Sequence, residues 1–212
     1  MKQLTFWFDP ISPFAYLAFE RLPEALVDLS YQVSYRPILL AAALKHWGQK
    51  GPAEIEPKRA WTFRQVAWLA HRHGIDLQMP AQHPFNPLAV LRLAWACAPV
   101  GSTPNRRVCE AVLRHVWRSE ADANDAQRLL AVRQTLLPRR EPDDASIKAL
   151  LKSNTEQALS LGLFGVPTIE VDGRLFWGLD SLEMLAAYLR GDPWFDAPDW
   201  QRAGMPHPGV VR

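Results

Sequence analysis

The residues best suited to chemistry in this chain are a serine near one end and a proline near the other. Ser12-Pro13-Phe14-Ala15 opens a helical pattern in which Phe14, Leu17, Ala18 and Leu22 keep one apolar face. Ser at the N-cap and Pro at the first helical position are what a helix start favours. Such a start presents unpaired N–H groups and the positive end of the helix dipole, which stabilise an anion, a thiolate included. The spacing is that of a C-x-x-C dithiol, yet the two sulfur positions hold Ser12 and Ala15, so this turn cannot form a disulfide. The Ser12 hydroxyl can serve as a plain cap, or it can donate a hydrogen bond to a thiolate carried by a ligand. The proline is Pro167, in Gly165-Val166-Pro167-Thr168, directly before a strand pattern. An X-Pro bond there can be trans or cis. A cis bond opens the Val166 backbone N–H and C=O to an extended peptide-like ligand; the alternative is an ordinary trans proline that starts a strand.

Other groups carry less. Cys97 and Cys109 form neither a C-x-x-C pair nor a zinc knuckle, and they read as small apolar residues on helices. His71-Arg72-His73 puts two imidazoles at i, i+2, which point apart on a helix. His46, His83, His115 and His207 are scattered, and Pro138-Arg139-Arg140 reads as a solvated corner. Trp61 and Trp68 share one helix face, and core packing is its expected use, ahead of the wall of an aromatic pocket. The sequence has no H-E-x-x-H, G-x-S-x-G, P-loop or G-x-G-x-x-G motif.

The elements that must hold these residues follow from periodicity and punctuation. Residues 3–8 read as a short aromatic strand, broken by Asp9-Pro10-Ile11. After the helix that starts at Ser12-Pro13, residues 31–36 alternate as a second strand closed by Pro37. Strand, helix and strand make a βαβ start with a parallel pair. From about 38 to 160 the pattern is helical, with stretches at 57–73, 86–98, 104–119, 122–137 and 143–161. Two short runs then flank Asp172-Gly173, a type I′ hairpin signal, and a last helix spans 181–190. The Pro-rich, aromatic tail from 192 is expected to be irregular and packed across the surface.

The 212 residues, 48% hydrophobic and 22% charged, form a soluble globular composition with enough chain for a sizeable core. A net charge of +2 argues against nucleic acid or an anionic membrane as main partner. No apolar run approaches the ~18 residues of a membrane span. The N-terminal apolar stretch stops at Asp9 and makes a poor signal peptide, so the expected location is cytoplasmic. The fold class expected is α/β: a thioredoxin-like domain, 1–37 and 163–212, with a large all-α insertion at 38–162.

Phe8-Asp9-Pro10-Ile11-Ser12-Pro13-Phe14-Ala15-Tyr16-Leu17-Ala18 resembles the opening of the 2-hydroxychromene-2-carboxylate isomerases, relatives of the kappa-class glutathione transferases and of the DsbA thioredoxin branch. Gly165-Val166-Pro167-Thr168 matches that family's cis-Pro turn, and Phe176-Trp177-Gly178-Leu179-Asp180 its motif before the last helix. Gly48-Gln49-Lys50-Gly51-Pro52, Pro57-Lys58-Arg59-Ala60-Trp61 and Pro84-Phe85-Asn86-Pro87 fit its middle, so the resemblance covers about residues 3 to 190.

The resemblance implies glutathione as cofactor and a glutathione-dependent isomerase that interconverts 2-hydroxychromene-2-carboxylate and trans-o-hydroxybenzylidenepyruvate in naphthalene-type aromatic catabolism. It further implies a homodimer. Ser12 is then the catalytic residue that holds the thiolate, and Val166 before Pro167 pairs with the cysteinyl part. Asp180 takes the γ-glutamyl ammonium, and Gln49 and Lys58 lie on the glutathione or substrate side. No metal is implied. A kappa-type transferase, or a binding module of the same fold without catalysis, are the alternatives. The chain departs from the kappa pattern at Leu179 and Ser181, where a small polar residue and an Arg usually flank the Asp, and at Gln49, which replaces Asn.

Overall fold

The structure, a computed structural model, describes residues 1–205. Strand β1 (Lys2–Phe8) runs into helix α1 (Pro13–Ala25), which returns the chain to β2 (Tyr31–Pro37), parallel to β1 from Lys2↔Tyr31 to Phe8↔Pro37. Far along the chain, β3 (Thr168–Val171) pairs antiparallel with the other edge of β1, Phe6 opposite Ile169, and β4 (Arg174–Trp177) pairs antiparallel with β3. The sheet order is therefore β2-β1-β3-β4, with the βαβ start and the hairpin expected from sequence in one mixed sheet. Asp172 and Gly173 have φ of 51° and 74°, the pair of left-handed residues that a type I′ turn requires.

Between β2 and β3 lie α2 (Leu40–His46), α3 (Glu56–Arg72), α4 (Leu88–Cys97), α5 (Arg106–Trp117), α6 (Ala126–Leu136) and α7 (Ala145–Ser160). The five helical stretches read from periodicity become α3 to α7 in order, and α2 is an addition inside the expected helical block. Polar caps set two of the starts: Asn105 accepts from the Val108 N–H and Asp125 from the Arg128 N–H. After the hairpin come α8 (Ser181–Leu189) and α9 (Pro198–Ala203).

Helix α1 is the hub. Tyr16, Leu17, Ala18, Phe19 and Leu22 are all buried, so the helix is enclosed by sheet and helices together. Leu4, Phe6 and Phe8 of β1 share its core with Val112, Val116 and Trp117 of α5. One continuous apolar core thus joins the sheet to the helical middle and fixes where α1 begins.

Two expectations are corrected. Trp61 and Trp68 are 65% and 54% exposed, because α3 turns Val66 and Ala70 inward instead; the Arg72 guanidinium lies over the Trp68 ring at 5.3 Å. The tail is not irregular over its described part. Asp192 caps a 3-10 turn at Pro193–Asp196, α9 follows, and Phe195 is buried against Phe176, Tyr188 and Trp200. His207 lies outside the described residues. Among the described residues no helix is long and apolar enough to cross a membrane.

Candidate active site

Ser12 is the N-cap of α1 in extended conformation, with Pro13 at the first helical position, as its sequence predicts. Its Oγ accepts from the Ala15 N–H at 3.2 Å and donates to the Val166 carbonyl at 3.3 Å. The hydroxyl is therefore a cap and, at the same time, the direct link to the second candidate segment. The bond to Val166 is long, so a stronger acceptor placed beside Ser12 can take over that hydrogen bond.

The Val166–Pro167 bond is cis. Among the described residues the Val166 N–H has no hydrogen-bond partner. The Pro167 carbonyl accepts from the Gly178 N–H at 2.9 Å, which brings the Phe176-Trp177-Gly178-Leu179-Asp180 motif alongside the turn. Gly165 leaves room for Trp177 there, since a Cβ would meet its Nε1 at 2.6 Å. Asp180 occupies the N-cap of α8 and is exposed, yet its carboxylate makes no cap hydrogen bond. Ser181 is buried and its hydroxyl donates to the Gly178 carbonyl at 2.9 Å, so this position faces the fold.

Gln49 and Lys58 are both exposed, and among the described residues neither side chain forms a hydrogen bond or ion pair with the other candidates. The Gln49 loop is nonetheless tied to the proline turn, because the Trp47 indole N–H, two residues earlier, donates to the Leu163 carbonyl at 2.9 Å. Phe164 and Trp177 pack beside this point as a tilted pair with ring centroids 4.8 Å apart, both partly open to solvent. Lys58 stands in the first turn of α3. One turn on, Phe63 meets the His83 ring at 5.2 Å, and the His83 Nε2 donates to the Ile11 carbonyl at 2.8 Å. Helix α3 is thereby linked, through His83, to the residue before Ser12.

Sequence reasoning missed the residues that fasten this turn. Asp9 is fully buried, accepting from the Ile11 N–H at 3.0 Å and the Leu40 N–H at 2.9 Å. Burial pushes its carboxyl up to about 7 against the pull of those two amides. The Trp117 indole donates to the Pro10 carbonyl at 2.8 Å. Burial lowers the pKa of His83 most, the hydrogen bond to the Ile11 carbonyl works the other way, and Arg59 lowers it further. Because a carbonyl only accepts, the proton sits on Nε2, and the buried Nδ1 is left without a partner among the described residues. Asp9 stood inside the opening motif, read only as a strand breaker; His83, Trp47 and Trp117 gave no local signal.

Cys97 and Cys109 are buried, and burial pushes the Cys97 thiol up to about 11 and that of Cys109 well above its ordinary value. Neither is a nucleophile at neutral pH.

The model of the DSBA-like thioredoxin domain matches residues 3–190. This chain belongs to that family. Within it, the 2-hydroxychromene-2-carboxylate isomerase of Pseudomonas putida is 30% identical over 197 residues, covering 87% of this chain and 92% of that protein. Glutathione S-transferase kappa 1 of Rattus norvegicus is 25% identical over 212 residues, covering 91% and 92%. A solved 2-hydroxychromene-2-carboxylate isomerase has the same fold, with a TM-score of 0.77 at 22% identity over 93% of this chain and 98% of that one. The family resemblance read from the motifs holds, and this DsbA-like chain carries serine where a dithiol's first sulfur would stand.

Proposed function

We propose that this chain is a glutathione-dependent isomerase that interconverts 2-hydroxychromene-2-carboxylate and trans-o-hydroxybenzylidenepyruvate in the breakdown of naphthalene-type aromatic compounds. The observation that carries the reading is the contact between Ser12 at the start of α1 and the Val166–Pro167 turn. A hydroxyl donor, a helix dipole and an open backbone N–H converge there, and no dithiol competes. The name of the Pseudomonas putida relative and its 30% identity favour this isomerisation; the rat relative's name favours glutathione.

The residues fit a tripeptide thiol. Ser12 turns its proton from the Val166 carbonyl to the bound sulfur and, with the helix dipole, favours the anion. The Val166 N–H and C=O pair with the cysteinyl backbone as a strand edge does. Asp180, free of any cap bond, takes the γ-glutamyl ammonium. Gln49 hydrogen-bonds the tripeptide and Lys58 attracts the substrate carboxylate. Bound glutathione supplies a thiolate that adds reversibly to the conjugated carbon, so the former double bond can rotate before it is restored.

The reading includes a cytoplasmic homodimer, with the thioredoxin-like part at 1–37 and 163–212 and the inserted helices at 38–162. The test is a spectrophotometric isomerase assay with and without glutathione, with free thiol counted. Conversion that requires glutathione and consumes none supports the isomerase. Stoichiometric thiol loss makes the chain a kappa-type transferase, and no binding in calorimetry leaves a binding module without catalysis.

A further inference from the structure

Asp9 is a buried acid that the proposed chemistry does not use. It follows β1 directly and holds two elements at once. Oδ1 accepts from the Ile11 N–H inside the turn that leads to Ser12, and Oδ2 accepts from the N–H of Leu40, the first residue of α2. Its own carbonyl accepts from the Ser12 N–H at 3.0 Å. The far end of α2 is pinned by Trp47 to the Leu163 carbonyl, at the approach to the Val166–Pro167 turn, and Gln49 follows two residues later. A seven-residue helix has almost no stability of its own, so these pins decide where it lies.

Among the described residues no cation pairs with the buried carboxyl. Arg36 of β2 is engaged by Asn154 and Gln157 of α7, and Lys152 of α7 pairs with Glu156. Lys45 and His46 stand in the last turn of α2, and His83 is on the Ile11 carbonyl. Among the described residues none of these forms a hydrogen bond or ion pair with Asp9. An apolar side chain would fill this space without the desolvation cost. It could not hold N–H groups from two separate elements.

We propose that Asp9 is a positioning residue of the candidate site: its two carboxyl oxygens lock the Ser12 turn to α2, so that Ser12 and the Gln49 loop keep a fixed separation. The ligand named here rests on the proposed function; the clamp itself does not. In amide-resolved NMR from pH about 5 to about 9, the Ile11 and Leu40 amides are expected to follow one titration curve centred near Asp9's raised pKa. In Asp9→Asn, which can accept only one of the two amides, that curve is lost. Glutathione affinity, measured by calorimetry on the full chain, is expected to fall at least about tenfold. Leu40→Pro provides a second variant that leaves Asp9 in place. It deletes the α2 donor at the first helical position, where proline is tolerated, after an extended Leu39, and the same loss of affinity is expected. Two amides titrating at different midpoints, or unchanged affinity in both variants with native circular dichroism, would overturn the clamp. If the wild-type chain binds no glutathione, the proposed function falls, and the amide titration decides the clamp by itself.

Discussion

Ser12 is already hydrogen-bonded on both sides, so its worth to a bound thiolate can be separated from its worth as a cap. A hydrogen bond to a charged group contributes about 1.5–3 kcal/mol. At ~1.4 kcal/mol per pKa unit, Ser12→Ala should raise the pKa of bound glutathione by roughly one to two units. Loss of the cap should cost about 1 kcal/mol of stability. Titration of ultraviolet thiolate absorbance, with the protein blank subtracted, reads the first effect; identical curves for both proteins would reduce Ser12 to a helix cap. Asp180 is a milder case. Its exposed carboxylate should contribute at most about 1 kcal/mol to an ammonium partner, roughly fivefold in affinity. Asp180→Asn should lower affinity for glutathione by that factor and leave unchanged the affinity for an analogue lacking the γ-glutamyl amine; equal losses for both would remove the assignment. Ser12, Val166 and Pro167 were legible in the sequence because helix caps and X-Pro turns have local chemistry. Asp9 and His83 were not, because a buried acid and a partly buried imidazole are defined by partners far along the chain.

Elements show the same division. β1, β2, the hairpin and α1 follow from alternation, Asp-Gly and Ser-Pro, which are local. Helix α2 was not separated from its block, since Leu39-Leu40-Ala41-Ala42-Ala43-Leu44 is apolar throughout and shows no polar period. The Trp61–Trp68 spacing identifies a helix face without saying which way it turns, and α3 turns it outward. Periodicity did serve α4 and α5, which carry Cys97 and Cys109 into the core as expected. Cys97→Ala with Cys109→Ala should therefore keep glutathione-dependent turnover. Each deletion leaves a small cavity costing on the order of 1 kcal/mol. Chemical denaturation and the isomerase assay on the double variant check this together, and a folded but inactive protein would show that the chemistry lies elsewhere.

At the scale of the whole molecule, the sheet and the helical middle meet at the turn from Asp9 to Ser12. Its fastenings to Leu40, His83 and Trp117 close separations of 31, 72 and 107 residues, which no local pattern records. Two of them bury titratable groups, and these make stability depend on pH in opposite senses. Burial raises the Asp9 carboxyl from 3.8 to about 7, and it is the chief cause lowering His83, and His115 of α5, below 6.5. Between those two Asp9 values the folded chain keeps a proton that the unfolded chain has shed, so the Asp9 contribution falls as pH rises through the window. The imidazoles behave oppositely: below 6.5 the unfolded chain binds protons that the folded chain refuses, and stability is lost as pH falls. Asp9 thus supplies a limb along which stability falls toward alkaline pH, and the imidazoles one along which it falls toward acid pH. Asp9→Asn should abolish the alkaline limb. A shift of about three units at ~1.4 kcal/mol each gives about 4 kcal/mol. Over the window from about pH 4 to about pH 8, the stability difference between variant and wild type should move by that amount in the variant's favour, on top of a constant cost for the amide that Asn cannot satisfy. Urea denaturation of both proteins at stepped pH measures it; a difference that does not change with pH would mean that the Asp9 carboxyl titrates in the folded chain where it does in the unfolded one.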